Sequence, residues 1–325
     1  MSTSIYNSHA IVALPAVRGG AVRTAGLRAW LARGDVESSD QPAGMLDRVM
    51  AALGRPPVAD GQGALRLWGQ TGDRPTIWMA AADPVYLEPR LDHLCLHRLS
   101  TAELPSQDVG RMFDELQAEF GAADELGFVQ IGRYGYLRGT TPIETARLSA
   151  EALDGREPSP WMPTGPAAAS FHRLHSEIQM ALHLSETHRD RETRGLRAVN
   201  ALWIWGGGAA PPLEPRPIPP LFAMDSLLRG YWHSAAGVVA DWNGCVTDCT
   251  EQAPDGFVAA LPPAQRRPDG SLDGLLAELR NLLRRGPIRT LTLLFSDGVS
   301  IRLRRRHAWR VWRRRALSLE PDPGR

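Results

Sequence analysis

The chain has 325 residues, a formal net charge of +1 and a hydrophobic content of 43%. These values are typical of a soluble globular protein with two lobes, and the near-zero charge gives no overall field that favours nucleic acid or a membrane surface. No apolar run has the length of a membrane span, residues 1–21 show no secretion signal, and three cysteines fit a reducing compartment, so we expect a cytoplasmic protein. All 37 residues counted as Lys or Arg are arginine, which excludes a lysine Schiff base and a lysine-containing phosphate loop.

The first half of the chain alternates short apolar runs with amphipathic stretches. Strands are predicted at residues 11–14, 65–68, 76–80 and 94–96, and a hairpin at residues 127–131 and 134–137. Amphipathic helices are predicted around residues 27–31, 45–53 and 109–120, where apolar side chains recur at helical spacing. Residues 157–163 contain three prolines and form the best candidate linker. We therefore expect an N-terminal α/β lobe at residues 1–156 and a second lobe at residues 164–325.

The second half contains one long apolar strand between helices. A helix is predicted around residues 166–182, a proline-rich extended segment at 211–220, and further helices at 225–236 and 272–283. Residues 253–270 are predicted to be a loop, and residues 288–295 and 299–303 a β-hairpin about Asp297-Gly298. The apolar run at residues 199–205 reads as a buried strand that ends at Gly206, Gly207 and Gly208, which allow close approach of a phosphate or of another chain segment.

Four segments carry a resemblance to a bacterial family. They are residues 176–183, residues 191–195, residues 199–208, and the block from Trp78 through Asp83-Pro84-Val85-Tyr86-Leu87, in which Tyr86 stands where the family has histidine. The closing Trp309-Arg310-Val311-Trp312-Arg313-Arg314 also resembles the terminal motif of that family. Its members are described as RpfE-type regulatory proteins or as cofactor-independent phosphoglycerate mutases, and we expect one of these roles here.

A narrower resemblance points to a fold. Residues 200–208, the proline-rich stretch and residues 224–230 are similar to a segment of archaeal-type cofactor-independent phosphoglycerate mutases. The resemblance implies an α/β fold, an alkaline-phosphatase-like mixed sheet flanked by helices, which here would carry a C-terminal β-hairpin. We expect residues 201–205 to be an interior strand of that core, because strands covered on both faces lose their alternation.

The catalytic residues of that superfamily do not transfer to this chain. Its enzymes hold two metal ions with Asp and His, beginning with an Asp-Gly pair near the first strand, and losing those ligands abolishes the chemistry. Here the first strand runs into Pro15-Ala16 without an acid, and the later Asp241, Asp248 and Asp255 lack the expected spacing to His307. We therefore expect no metal site, no cofactor and no mutase activity at enzymatic rates.

A polar constellation is the candidate site for an anionic small molecule such as a phosphorylated metabolite. Arginine grips phosphate or carboxylate with two hydrogen bonds. The alternative is a buried polar network that braces a helix against the strand. The candidate residues are Glu177, Gln179, Arg191, Arg194, Asn200, Gly206, Gly207 and Gly208, and four of them, Glu177, Gln179, Arg194 and Asn200, are expected to lie together near the three glycines.

Other polar clusters are weaker candidates. His172, His175 and His183 have no carboxylate at the metalloprotease spacing, and Cys245 and Cys249 lack a second cysteine pair, so we expect satisfied polar helix faces and free thiols. The basic C-terminal segment interleaves arginine with tryptophan, a pattern that binds single-stranded nucleic acid or forms an edge strand with packed tryptophans. The nucleic-acid candidates are Arg304, Arg306, Trp309, Arg310, Trp312 and Arg313.

Three functions therefore remain open from sequence. The first is a mutase-like protein without the catalytic metal site, acting as a regulatory or ligand-binding protein. The second is an active metal-dependent phosphoglycerate mutase or phosphotransfer enzyme. The third is a nucleic-acid-associated regulator that uses the arginine-rich tail, although the balanced net charge disfavours it.

Overall fold

The computed structural model describes residues 8–18, 21–121, 125–242, 244–261 and 272–310. Contacts divide the chain into two compact units, one formed by residues 1–57 and 213–325 and the other by residues 58–212. We call them the outer unit and the inserted unit. This division differs from the predicted lobes at residues 1–156 and 164–325, because strands near both chain ends share one sheet. No described helix is both long and apolar enough to cross a membrane.

The outer unit is built on a seven-stranded mixed sheet. In spatial order its strands are β2 (Asp35–Ser38), β12 (Val299–Arg304), β11 (Thr290–Phe295), β1 (His9–Leu14), β10 (Gly256–Ala260), β8 (Leu221–Ala223) and β9 (Val239–Ala240). The five strands from β11 to β9 are parallel, and at one edge β12 pairs antiparallel with β11 and β2 pairs antiparallel with β12. The predicted C-terminal hairpin is confirmed as β11 and β12.

Helices cover the outer sheet and explain its apolar strands. They are α1 (Ala25–Leu31), α2 (Met45–Ala52), α7 (Ser226–Ser234), α8 (Val246–Gln252) and α9 (Leu272–Arg285). Side chains of α1, α8 and α9 form one core with Ala10, Val12 and Leu14 of β1. Helix α2 packs on β1 and β11, and α7 packs on β8 and β9. The predicted mixed α/β sheet flanked by helices is thus confirmed.

The inserted unit has an antiparallel sheet of its own. Its strands are β3 (Trp78–Pro89), β4 (Leu94–Arg98), β5 (Leu126–Ile131), β6 (Tyr134–Gly139) and β7 (Ala201–Gly208). Long β3 pairs with β4, β6 and β7, and β5 pairs with β6. The helices of this unit are α3 (Gln62–Thr71), α4 (Ser106–Phe120), α5 (Ala169–Leu184) and α6 (Glu186–Thr193).

The predicted apolar strand is β7, and residues 201–206 are fully buried. Its place differs from the prediction, since it lies in the antiparallel sheet of the inserted unit, not in the mixed sheet. Helix α3 and helix α5 both pack against it. Covering on both faces therefore explains the unbroken apolar run, although the sheet is antiparallel.

Three local predictions need correction. Residues 65–68 lie inside helix α3 and not in a strand, because a run of four residues is too short to distinguish a helical from a strand period. The predicted loop at residues 253–270 contains β10, a central parallel strand with all five residues buried. The proline-rich residues 157–163 include a short 3₁₀ helix at Ser159–Trp161 and do not separate the two units.

Candidate functional site

Strand β12 presents one apolar and one polar face. Val299, Ile301 and Leu303 are buried in the outer core, so the alternate side chains of Ser300, Arg302 and Arg304 point to the opposite face. On the neighbouring strands, Thr290, Thr292 and Leu294 of β11 stand opposite these residues, and Asp35 and Glu37 of β2 continue the rows. The sheet edge therefore carries a polar patch of alternating residues.

Helix α2 converts this patch into a cavity. Arg48, Ala51 and Ala52 face the strands, and the small alanine side chains leave a volume of about 690 Å³ above the polar rows. A second cavity of about 380 Å³ shares Ala51, Ala52, Arg302 and Arg304 and extends to His9 and Gly54. We call this continuous space the α2 groove. Its lining residues are His9, Asp35, Glu37, Ser38, Ser39, Arg48, Ala51, Ala52, Leu53, Gly54, Thr290, Thr292, Leu294, Gly298, Ser300, Arg302 and Arg304.

The arginines of the α2 groove differ in how they are used. Arg48 is committed to the fold, since its guanidinium donates to the carbonyl oxygens of Phe295 and Val299. Within the described part of the chain, no hydrogen bond or ion pair engages the guanidinium of Arg302 or Arg304. Asp35, the acid opposite Arg302, instead accepts from Arg310 at 2.6 Å. Two guanidiniums thus retain their hydrogen-bonding capacity on one wall.

His9 reports the electrostatics of the α2 groove. Burial, together with the positive charges of Arg302 and Arg304, lowers the pKa of His9 from 6.5 to about 4. Its Nε2 lies 2.8 Å from Thr292 Oγ1. At neutral pH the imidazole is therefore uncharged and adds a hydrogen-bonding group without adding charge. The groove consequently offers two guanidiniums that no described residue pairs with, beside hydroxyl groups, a combination suited to a phosphate or carboxylate.

The structure uses two of the predicted ligand residues in a buried ion cluster. The Arg191 side chain is 1% exposed and donates to Asp108 Oδ2 at 3.0 Å and to the carbonyl oxygens of Glu103 and Arg197. Arg194 contacts the same Asp108 oxygen at 3.5 Å. Burial alone would raise the pKa of Asp108, but hydrogen bonds from Arg111 and Arg191 and the charge of Arg194 hold it below 3.8. Both predicted ligand arginines therefore already pair with a carboxylate of the protein itself.

Asn200 extends the pairing of β7 with β3. Its Oδ1 accepts from the backbone N–H of Leu87 at 2.7 Å, and its Nδ2 donates to the carbonyl of the same residue at 2.9 Å. The side-chain amide of Asn200 therefore makes the two hydrogen bonds with Leu87 that the backbone of a paired strand residue would otherwise make. Gly206 follows six residues later, about 20 Å along an extended strand, so Asn200 and the glycines occupy opposite ends of β7.

The three glycines permit close contact with helix α3. Gly206 has φ of +62°, and a Cβ there would lie 2.9 Å from Gln62 Cβ. At Gly208 an added Cβ would overlap the backbone of Gly61, whose N–H donates to Gly207 O at 3.2 Å. Another chain segment, and not a phosphate, occupies the space that the glycines leave.

The remaining predicted residues lie apart from these. Glu177 is exposed, 4.0 Å from Arg173, and Gln179 is half-buried on the same helix α5. His175 is buried and stacks on Phe171, whereas His172 and His183 are exposed. Among the described residues, Cys245 and Cys249 form no disulfide. The structure therefore does not gather Glu177, Gln179, Arg194 and Asn200 beside Gly206–Gly208.

The arginine-rich segment meets the α2 groove at its first residues, Arg302 and Arg304. Arg304 lines the α2 groove, and Arg310 pairs with Asp35. Arg306 and Trp309 lie in the 3₁₀ helix Arg305–Trp309, where Trp309 is 81% exposed and does not pack on the core. Trp312 and Arg313 lie outside the described residues.

Acidic residues follow three of the parallel strands and are engaged by the protein. After β8, Asp225 caps helix α7 by accepting from Leu228 N at 2.8 Å. After β9, Asp241 pairs with Arg229, and after β11, Asp297 Oδ2 accepts from the N–H groups of Val17 and Arg18. Among the described residues, these three carboxylates do not belong to a group of three His, Cys, Asp or Glu side chains with ligand atoms close together.

Sequence reasoning missed most of the α2 groove. Arg48, Thr292 and Ser300 were not predicted as site residues, although Ser300, Arg302 and Arg304 alternate along and just after a predicted strand. That alternation was the available signal. These alternating residues can be recognised as part of a site only when the register of β12 with β2 and the position of α2 are known.

The comparisons with known proteins show partial similarity. No protein-family model matches the chain. It is 24% identical over 128 residues to the 2,3-bisphosphoglycerate-independent phosphoglycerate mutase of Methanosarcina barkeri, a match covering 38% of this chain and 32% of the mutase. The predicted resemblance to cofactor-independent mutases is thus confirmed as sequence similarity, over about a third of that relative.

Two solved structures resemble the backbone over most of its length. The PH0037 protein of Pyrococcus horikoshii aligns with a TM-score of 0.48 and 13% identity, covering 91% of this chain and 86% of the other. The cofactor-independent phosphoglycerate mutase of Thermoplasma acidophilum aligns with a TM-score of 0.40 and 16% identity, covering 91% and 90%. Similarity at this level assigns no activity.

Proposed function

We propose that this chain is a phosphoglycerate-mutase-like protein of RpfE type that binds a phosphorylated small molecule in the α2 groove. In this proposal it acts as a regulatory or ligand-binding protein and not as a metal-dependent mutase. The observation that carries it is a pair of guanidiniums, Arg302 and Arg304, which have no partner among the described residues and lie on the wall of a cavity of about 690 Å³. Sequence similarity to a mutase that acts on phosphoglycerate supports a phosphorylated ligand.

The ligand class follows from the chemistry of the lining. Two neighbouring guanidiniums bind phosphate through several charge-assisted hydrogen bonds, and the hydroxyls of Thr292 and Ser300 can bind further oxygens. Glu37 and Asp35 on the opposite row disfavour a ligand that is anionic along its whole length. A small molecule with a phosphate at one end and hydroxyl groups at the other fits this distribution.

Calorimetric titration with 3-phosphoglycerate, sugar phosphates and inorganic phosphate tests the proposal. We expect at least one organic phosphate to bind, and Arg302→Ala/Arg304→Ala to weaken it at least about tenfold, since each charged hydrogen bond contributes about 1.5–3 kcal/mol. Arg306→Ala is the matched control, because Arg306 is exposed outside the α2 groove. Equal affinity in the double variant, or no binding of any phosphate, contradicts the groove as the site.

The non-catalytic part of the proposal has a separate test. The engaged carboxylates of Asp225, Asp241 and Asp297 support it. We expect no turnover of 3-phosphoglycerate above background, with or without added Mn²⁺ or Zn²⁺. Turnover that a chelator abolishes would show a metal-dependent mutase, while leaving ligand binding at Arg302 and Arg304 to its own measurement.

Nucleic-acid binding is a second candidate function, favoured by the exposure of Trp309. An indole 81% exposed beside the exposed Arg306 offers a surface for base stacking and phosphate contact. Fluorescence anisotropy with a labelled single-stranded oligonucleotide tests this at several salt concentrations. Salt-sensitive binding that Trp309→Ala weakens would support it, and absence of binding at low salt would exclude it.

A further inference from the structure

The hairpin of β3 and β4 brings together three side chains that can bind a metal. Glu88 and Cys95 are directly paired across the two strands, and His97 stands two residues further along β4. Residues two apart point to the same side of a strand, so all three side chains share one face. Within the residues described, they form the one group of three or more His, Cys, Asp or Glu side chains with ligand atoms this close.

The geometry is close to that of a coordination site. The ligand atoms of Glu88, Cys95 and His97 all lie within 4.8 Å of one another, and His97 Nε2 lies 2.9 Å from Glu88 Oε2. In a tetrahedral zinc site, ligand distances of about 2.0–2.3 Å place neighbouring donors about 3.5 Å apart. Small side-chain rotations therefore suffice to bring all three onto one ion.

The three side chains of the cluster differ in how deeply they are buried, and this suits a metal ion with one side open to solvent. Cys95 is 7% exposed, while the side chains of His97 and Glu88 are 25% and 35% exposed. Tyr86 stacks on the His97 ring at a centroid distance of 6.4 Å and limits its orientation. The thiol thus lies at the bottom of the cluster, and the carboxylate and imidazole lie toward solvent.

We propose that Glu88, Cys95 and His97 form a binding site for a zinc-type transition metal ion. A thiolate, an imidazole and a carboxylate are all zinc ligands, and the thiolate selects against Mg²⁺ and Ca²⁺. Three protein ligands leave a fourth position for water or for an incoming ligand. Binding releases the thiol proton of Cys95 to solvent, and no oxidation or reduction takes place.

Arg90 is the competitor for this ion. Its guanidinium lies 2.7 Å from Glu88 Oε2, the same oxygen that contacts His97. The Arg90 side chain is 52% exposed, so it can leave the carboxylate for solvent when a metal binds. Removal of Arg90 should therefore strengthen metal binding, a result that a purely structural Glu–His–Arg network does not produce.

Titration of the full-length protein with Co²⁺, a spectroscopic substitute for zinc, tests the site. We expect one ion per chain and a thiolate-to-cobalt charge-transfer band in the near ultraviolet, displaced by Zn²⁺. Cys95→Ser should abolish the band, and Glu88→Gln should weaken binding at least about tenfold, because even indirect partners of a metal ligand contribute that much. Arg90→Ala should tighten binding severalfold.

The chain supplies matched controls. Cys245→Ser and Cys249→Ser remove the other two thiols, and His93→Ala removes an exposed histidine four residues before His97, so all three variants should keep the band. Circular dichroism of Cys95→Ser checks that it folds; if it does not, His97→Ala replaces it and should shift the spectrum. Absence of a thiolate band with Co²⁺ in large excess, or a band that Cys95→Ser retains, overturns the proposal. Unchanged affinity in Arg90→Ala likewise overturns it.

Discussion

Asp108 shows how a single carboxylate can hold several arginines in place. It lies in the first turn of α4, is 3% exposed, and receives Arg111, Arg191 and Arg194. Arg191 is buried with it, so removal of the carboxylate would leave a guanidinium charge inside the protein. Breaking a buried pair in this way costs about 3–5 kcal/mol, far more than an exposed pair contributes.

We therefore expect Asp108→Asn to lower the free energy of unfolding by about 3 kcal/mol at neutral pH, measured by urea denaturation. Since the folded pKa of Asp108 lies below 3.8, its contribution is present above pH 3.8 and is lost as the pH falls through the folded value. The difference in unfolding free energy between wild type and variant should narrow in that acidic range.

Asp190→Asn is the control, because the Asp190 carboxylate is 40% exposed and contacts Arg111 and Arg194. It should lower the free energy of unfolding by less than about 1 kcal/mol. A larger loss in the control would contradict the assignment.

Asn200 provides a second prediction for a single residue. Asn200→Ala removes both hydrogen bonds to the backbone of Leu87 and leaves a strand N–H and carbonyl unpaired. We expect a loss of about 1–3 kcal/mol in the free energy of unfolding, with no change in phosphate binding at the α2 groove. Asn281→Ala, at an exposed position of α9, is the control and should stay within about 0.5 kcal/mol. An Asn200→Ala variant with intact stability would show that the amide does not support the strand.

His9 links pH to occupancy of the α2 groove. Its pKa of about 4 results first from burial and then from Arg302 and Arg304. Arg302→Ala should raise this pKa without reaching 6.5, and a bound phosphate should raise it too by offsetting the arginine charges. NMR titration of the imidazole measures both effects. Because the unfolded chain binds a proton at His9 below pH 6.5 and the folded chain only near pH 4, His9 reduces stability as the pH falls between these values. A wild-type pKa near 6.5 would contradict this environment.

At the scale of elements, contact between α3 and the inserted sheet depends on glycine. Gly63, the second residue of α3, lies against β3, and an added Cβ would overlap the backbone of Ala80 and Ala81. Gly63→Ala should therefore lower the free energy of unfolding by about 1–3 kcal/mol, because packed backbone must move. Gly26 is also the second residue of its helix, α1, but a Cβ there meets its nearest atom at 4.0 Å.

The matched substitution Gly26→Ala should stabilise the protein by about 0.5–1 kcal/mol, as expected for alanine in a helix. Thermal melts of the two variants give shifts of opposite sign. Two shifts of the same sign would show that helix propensity, and not backbone approach, determines the effect.

The sequence correctly predicted those helices and strands whose formation depends on neighbouring residues in the chain. The hairpin about Asp297-Gly298, helix α4 and β7 follow from turn residues and periodicity. Strand β10 was missed because its five residues are flanked by proline and glycine, and its partners β1 and β8 are distant in sequence. The same reason applies to the two sites. Arg302 faces the α2 groove, and Glu88 meets Cys95, only through strand register, which a single sequence specifies poorly.

At the scale of the whole molecule, the two ends of the inserted unit lie next to each other. Gly61 N donates to Gly207 O, so both ends of residues 58–212 meet within that unit. It also has a core of its own, with Phe113, Phe128, Phe171 and Leu202 among its buried residues. We expect a fragment of residues 58–212 to fold alone and to unfold cooperatively in urea. A fragment with no cooperative transition, or with unprotected amides in β3 and β7 by hydrogen exchange, would contradict this.

Strand β1 has a consequence for synthesis on the ribosome. His9 pairs with Gly256 and with Thr290, so the first strand of the chain has no partner in the sheet until residues nearly 250 positions later are translated. At about 5–20 residues per second, this delay is on the order of 10–50 s. The inserted unit emerges and can fold during this interval, while the apolar His9–Leu14 segment stays exposed. The nascent chain therefore presents an aggregation-prone strand while the inserted unit can already be folded, and a chaperone that binds apolar segments would find one at residues 9–14.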